Sequence, residues 1–163
     1  MSAARLLHAA REKGVRIAAA ESCTGGLIMA ALTEIAGASD VIDRGFVTYS
    51  NAAKQEMLGV TSDSLQQHGA VSEQVAAEMA QGALARSRAG LAIAVTGIAG
   101  PGGSEFKPEG RVCFGLAMPA RTETETIEFG AIGRAQVREA TVAHAIAMML
   151  RALDGCAPHA PQP

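Results

Sequence analysis

Five consecutive apolar residues at 91–95 (Leu-Ala-Ile-Ala-Val) run without a polar interruption and stop at Thr96-Gly97. So short a run, flanked by turn residues, reads as a strand at the centre of a sheet covered on both faces. The segments before it repeat one unit of strand, turn and helix. Residues 16–20 form a short strand. They lead through Glu21-Ser22-Cys23-Thr24-Gly25-Gly26 into a helix that starts near Thr24, carries Leu27, Ile28, Ala31, Leu32 and Ile35 at spacings of three and four, and stops by Gly37. Residues 41–49 are rich in β-branched and aromatic side chains and end at the helix-capping types Ser50-Asn51, ahead of a helix over 52–58.

The rest of the chain completes this plan. Ser2 caps a first helix that stops at Gly14, and Ser72 caps a long helix with Val75, Ala76, Met79, Ala83 and Leu84 on one face. After the apolar strand comes a loop over 97–110 with five glycines and two prolines, then strands over 112–118 and 123–129, the second with the Glu/Thr alternation of an edge. A helix over 134–150 closes the domain. Alternating strands and helices predict the α/β class, a three-layer α/β/α sandwich with a mixed sheet of about five strands. Residues 1–155 are expected to form one domain and 156–163 a frayed Pro-rich tail. With 18 Gly, no Trp and 3% aromatic residues, the core must be built from small aliphatic side chains that let helices and strands approach closely.

Several function classes are disfavoured. A net charge of -2, from 14 basic and 16 acidic residues spread along the chain, gives no footprint for nucleic acid or an anionic membrane. Cys23, Cys113 and Cys156 are odd in number and widely spaced, which argues against a disulfide scaffold and a structural zinc site; no metal-ligand spacing appears elsewhere. The amphipathic start, broken by Arg5, Arg11, Glu12 and Lys13, has neither a signal-peptide core nor a membrane span, so a cytoplasmic protein is expected. A homodimer is expected because symmetric dimers are the commonest oligomers.

In an open α/β sheet the ligand crevice lies beyond the carboxyl ends of the strands. Three turns are candidates: 21–26, 49–54 and 96–103. Ser22 and Thr24 stand before a helix, where free N–H groups and the helix dipole can hold a phosphate or oxyanion, or where one of them simply caps the helix. Lys54 falls in the first turn of a helix, where the dipole and burial both lower its pKa and make a neutral amine usable as a base; the plain alternative is a solvated lysine. Tyr49, the only tyrosine, can donate to an oxyanion or serve as a half-buried strand aromatic. The 97–103 turn, with Gly97, Gly100, Gly102 and Gly103, is neither a Walker loop nor a GxGxxG fingerprint, yet it lets backbone approach a ligand. Cys23 is a third candidate nucleophile, ranked below serine, since a helix N-terminus and a nearby lysine lower a thiol pKa. His144 falls on an apolar helical stripe and reads as packed.

AESCTGG, VTYSNAAKQEMLGV, GAVS and AVTGIAGPGGS followed by KPEGRV together resemble the C-terminal domain family of the competence/damage-inducible protein CinA, which includes the nicotinamide mononucleotide deamidases. The resemblance covers nearly the whole chain, and four motifs in order are far more specific than any one. It implies metal- and cofactor-independent hydrolysis of the carboxamide of nicotinamide mononucleotide to nicotinate mononucleotide and ammonia. It implies Ser22 or Ser39 as nucleophile, Lys54 as base, and Tyr49 and Thr96 as polarising donors. Thr24, Gly25, Gly26, Asn51 and the glycines of 97–103 would cradle phosphate and ribose, with Arg134 or Arg138 pairing the phosphate. A nucleotide-binding module that breaks no bond is the competing reading.

Overall fold

A computed structural model describes residues 2–104 and 106–155. The expected tail at 156–163, with Cys156, lies outside the described residues. Strands β1 (Ile17–Glu21), β2 (Ile42–Val47) and β3 (Leu91–Gly97) run parallel, and β4 (Arg111–Met118) and β5 (Arg121–Glu128) extend the sheet antiparallel from β3. The order across the sheet is β2-β1-β3-β4-β5. Helices α1 (Ala3–Lys13), α2 (Leu27–Thr33) and α6 (Arg134–Asp154) cover one face, and α3 (Asn51–Leu58), α4 (Ser62–His68) and α5 (Glu73–Ala85) pack on the other. This is the expected three-layer α/β/α sandwich.

Strand alternation divides the core by size. Ile17, Ala19, Leu91, Ile93 and Val95 point to the α1/α2/α6 face, while Ala18, Ala20, Ala92 and Ala94 point to the other. The alanine face lets α5 settle close to the sheet: a Cβ on Gly115 of β4 would overlap the Ala76 carbonyl, and one on Gly82 of α5 would overlap the Leu58 carbonyl of α3. The small residues that dominate the composition therefore set how near α5 lies to the sheet.

Serine and threonine caps fix the helix starts. Ser2, Ser50, Thr61 and Ser72 side chains accept from the N–H groups of Arg5, Ala53, Ser64 and Val75. The cap of α3 is thus Ser50, and Asn51 is the first helical residue. Helix α2 starts three residues later than the spacing predicts, because Gly25 and Gly26 adopt φ of 58° and 111° and hold 22–26 as a turn. It also stops earlier, at Thr33, and a 3-10 turn (Ala38–Asp40) precedes β2. Helix α4 was not expected; Leu65 alone of its seven residues packs half-buried against the core, so no apolar stripe announces it.

β1 leads through α2 to β2 on one side, and β2 leads through α3, α4 and α5 to β3 on the other side of β1. The connections leave on opposite faces, which opens a crevice at the carboxyl ends of β1 and β3. Gly115→Ala tests the close approach of α5: overpacking of this kind destabilises by about 1–3 kcal/mol. Chemical denaturation should show a lower midpoint with an unchanged slope, and an unaltered midpoint would mean that α5 is free to retreat.

Candidate active site

The crevice holds a cavity of about 430 Å³ lined by Ser22 and Cys23 after β1, Tyr49, Asn51 and Lys54 after β2, and Thr96 to Ser104 after β3, with Ala70, Val71, Lys107 and Arg134. The three candidate turns meet there. Its described lining includes three cationic side chains and no carboxylate, so it favours an anionic ligand.

At its floor the Lys54 ammonium lies 2.9 Å from Ser22 Oγ and 2.8 Å from the Thr48 carbonyl oxygen, donating to both. Lys54 is 1% exposed, so it is the opposite of a solvated surface lysine. Burial lowers its pKa from the usual 10.5 to about 8, with a nearby Cys23 thiolate able to raise it only secondarily. The chain folds this way because Ser50 starts α3 where the first helical turn carries Lys54 inward, back toward the strand end that precedes it.

The turn after β1 is held differently from the expected serine or threonine cap. The Glu21 carboxylate, fully buried, accepts from Thr24 Oγ1 at 2.7 Å, Gly26 N at 3.2 Å, Ile28 N at 2.8 Å and Met29 N at 3.1 Å. The Leu27 N–H is taken by the Thr24 carbonyl. The N–H groups of Gly26, Leu27, Ile28 and Met29 are thereby occupied, so the first turn of α2 is already capped from within. Arg138 donates to the Cys23 and Thr24 carbonyls, each at 3.1 Å, and braces this turn from behind. Neither Arg138 nor Thr24, Gly25 or Gly26 lines the cavity.

The opposite wall is the Gly-rich hairpin. The Thr96 hydroxyl donates to the Ala70 carbonyl at 2.8 Å, so its proton anchors the 69–72 loop and is not free to polarise a substrate. Lys107 donates to the His68 and Val71 carbonyls and pins the hairpin to the same loop. Glu109 accepts from Gly102 N at 2.7 Å, shaping the 100–103 turn. Gly97 is required by close packing, since a Cβ there would strike Val112. On the rim, Arg134 donates to the Gly100 carbonyl at 2.7 Å and to Tyr49 Oη at 3.1 Å, and Tyr49 is 63% exposed.

Ser39 belongs elsewhere. It sits in the 3-10 turn before β2, in a separate hollow with Thr33, Ile35, Gly37 and Ile42 at the amino ends of the parallel strands, whereas Ser22 follows a carboxyl end. Five strand residues, on the order of 16 Å, separate those two edges. Cys23, the candidate ranked below serine, is buried, and burial raises its thiol to about 11 against the lowering by Lys54 and Arg138. His144 is packed, its ring 4.5 Å from Phe114 and its Nε2 2.8 Å from Glu125. Among the described residues no group of three or more His, Cys, Asp or Glu side chains converges on a point where a metal ion could sit, and no helix is long and apolar enough to cross a membrane.

Residues 1–153 match the family model of the CinA C-terminal domain. The chain belongs to the CinA C-terminal domain family. A competence/damage-inducible protein of Agrobacterium tumefaciens has the same fold, with a TM-score of 0.89 and 52% identity over 93% of each chain. The nicotinamide-nucleotide amidohydrolase PncC of Enterobacter agglomerans is 60% identical over 110 residues, 67% of this chain and 67% of that protein. A CinA-like protein of Syntrophobacter fumaroxidans is 49% identical over 144 residues, 88% of this chain but 34% of its own length. The chain thus spans about a third of the CinA-like relative it matches.

The four CinA-family motifs meet at one place: AESCTGG supplies Ser22, YSNAAK supplies Lys54, and AVTG and KPEGRV clasp GAVS from two sides. Sequence reasoning missed Glu21 and Lys107. The first was signalled by a carboxylate ending an otherwise apolar strand, the second by one of only three lysines placed just after the glycines. Lys107→Met removes two charge-assisted hydrogen bonds, each worth about 1.5–3 kcal/mol. Amide exchange in 69–72 and 98–103 should then speed up by roughly tenfold or more while α6 is unchanged; unaltered exchange in both loops would refute the clasp.

Proposed function

We propose that this chain hydrolyses the carboxamide of nicotinamide mononucleotide, giving nicotinate mononucleotide and ammonia, with Ser22 as nucleophile and Lys54 as general base. The observation that carries this reading is the 2.9 Å contact between Ser22 Oγ and a buried Lys54 whose pKa is lowered to about 8. A ligand-holding module has no use for an amine tuned this way beside a hydroxyl. Strong similarity to a protein named for this activity supports the choice of substrate.

When Lys54 is neutral, the contact reverses and the serine hydroxyl donates to the amine lone pair. Oγ attacks the carboxamide carbon as its proton passes to Nζ. Collapse of the tetrahedral intermediate breaks the C–N bond, and Nζ returns that proton to the departing nitrogen, which leaves as ammonia. Water, deprotonated by the same amine, then attacks the ester carbon and releases the carboxylate and Ser22. The Thr48 carbonyl holds Nζ in place through both steps. Tyr49, oriented by the Arg134 N–H it accepts, keeps its own hydroxyl proton for the substrate. Arg134 and the Gly100 to Gly103 turn receive the phosphate, since the start of α2 is already capped.

The assay is ammonia release from nicotinamide mononucleotide, with and without a chelator. Because Lys54 must be neutral, kcat/KM should rise with pH to a plateau through an apparent pKa of about 8. Lys54→Ala should lose release by at least roughly 10³-fold while keeping its fold. Release at the wild-type rate in that variant would exclude the mechanism. Failure of the folded wild-type protein to release ammonia would leave a nucleotide-binding module as the reading.

A further inference from the structure

Glu21 is the fully buried carboxylate of this site, and it cannot touch a substrate. It nevertheless connects to both members of the Ser22–Lys54 pair. Its side chain accepts four hydrogen bonds from Thr24, Gly26, Ile28 and Met29 and so fixes the turn that begins with Ser22. Its backbone carbonyl accepts the Thr48 N–H at 2.9 Å, and the carbonyl of that same Thr48 accepts the Lys54 ammonium. One residue thus registers the nucleophile's turn and the base's anchor.

A capping carboxylate ordinarily follows the strand and belongs to the helix it caps. Here it comes from the last residue of β1, so the start of α2 is tied to the sheet through the turn that carries Ser22. Arg138 clamps the Cys23 and Thr24 carbonyls of that turn from the α6 side. Between the two clamps the backbone after Ser22 has little freedom to shift.

We propose that Glu21 is a positioning residue for the hydrolysis, an internal anion that occupies the start of α2 and sets Ser22 Oγ in reach of Lys54. The proposal rests on the Ser22 and Lys54 reading above. Its consequence is a division of labour: Glu21 governs the bond-breaking step, and Arg134 with the Gly-rich turn governs substrate binding.

Glu21→Gln is the test. It preserves shape, yet its amide nitrogen faces backbone N–H groups where the carboxylate accepted, and it removes the charge the helix start favours. With the fold verified by circular dichroism at the assay temperature, kcat should fall roughly 10- to 100-fold, the size expected from a displacement of 1 Å or less at reacting atoms, while KM stays within about threefold. Glu21→Asp keeps the charge but retracts it by one methylene; it should show the same split, and it replaces the glutamine variant if that one does not fold. A folded variant with kcat within about twofold of wild type, or with the whole loss in KM, would overturn the role. If the wild-type protein releases no ammonia, the hydrolase reading fails separately. A crystal structure of Glu21→Gln then decides the positioning role: a Ser22 Oγ to Lys54 Nζ separation beyond hydrogen-bond reach sustains it, and retention of 2.9 Å refutes it.

Discussion

Everything at this site depends on a lysine buried without a counter-charge. Lys54 is enclosed by a carbonyl and a hydroxyl, and the described cavity lining brings no carboxylate to it. A carboxylate partner would stabilise the ammonium and raise its pKa; its absence leaves burial to depress the pKa toward neutrality. A charge kept in such a place lowers stability, a pattern expected where function sets the residue. The carboxylate adjacent to Ser22, that of Glu21, is fully engaged by Thr24 and the start of α2.

The fold makes this arrangement possible through small side chains. Alanines on one sheet face and glycines at 82 and 115 let α5 and α3 pack closely, and α3 brings Lys54 beneath the end of β1. The switch in strand order places the ends of β1 and β3 beside each other, with Ser22 on one and the Gly-rich hairpin on the other. Thr96 and Lys107 then close the wall by holding the 69–72 loop. Lys54 sits in α3 and Ser22 in the turn directly after β1, while the ligand-facing wall is loop backbone held by side chains.

The five strands, five of the six helices and the three layers were legible because strand and helix periods were clear and small caps stood at most of the helix starts. The pairing of Ser22 with Lys54 was legible only in part. Sequence placed both at carboxyl ends of strands, but whether Lys54 turned inward was decided by the Ser50 cap, one residue earlier than expected. Ser39 stood beside Ser22 as a candidate at a matching polar position, and chain direction separates them, since it precedes its strand where Ser22 follows one. Thr96 was read as a donor to substrate, yet its proton is spent on Ala70, a partner 26 positions away that no local pattern reveals. The cap of α2 was missed for a similar reason: a strand-end glutamate does not resemble a capping residue.

The proposed hydrolysis turns on which serine attacks the carboxamide. Ser22→Ala and Ser39→Ala, compared in ammonia release from nicotinamide mononucleotide, test it most directly. Ser22→Ala should lose turnover by at least roughly 10³-fold, and Ser39→Ala should stay within about twofold of wild type. Retained turnover in Ser22→Ala, with loss in Ser39→Ala, would contradict it.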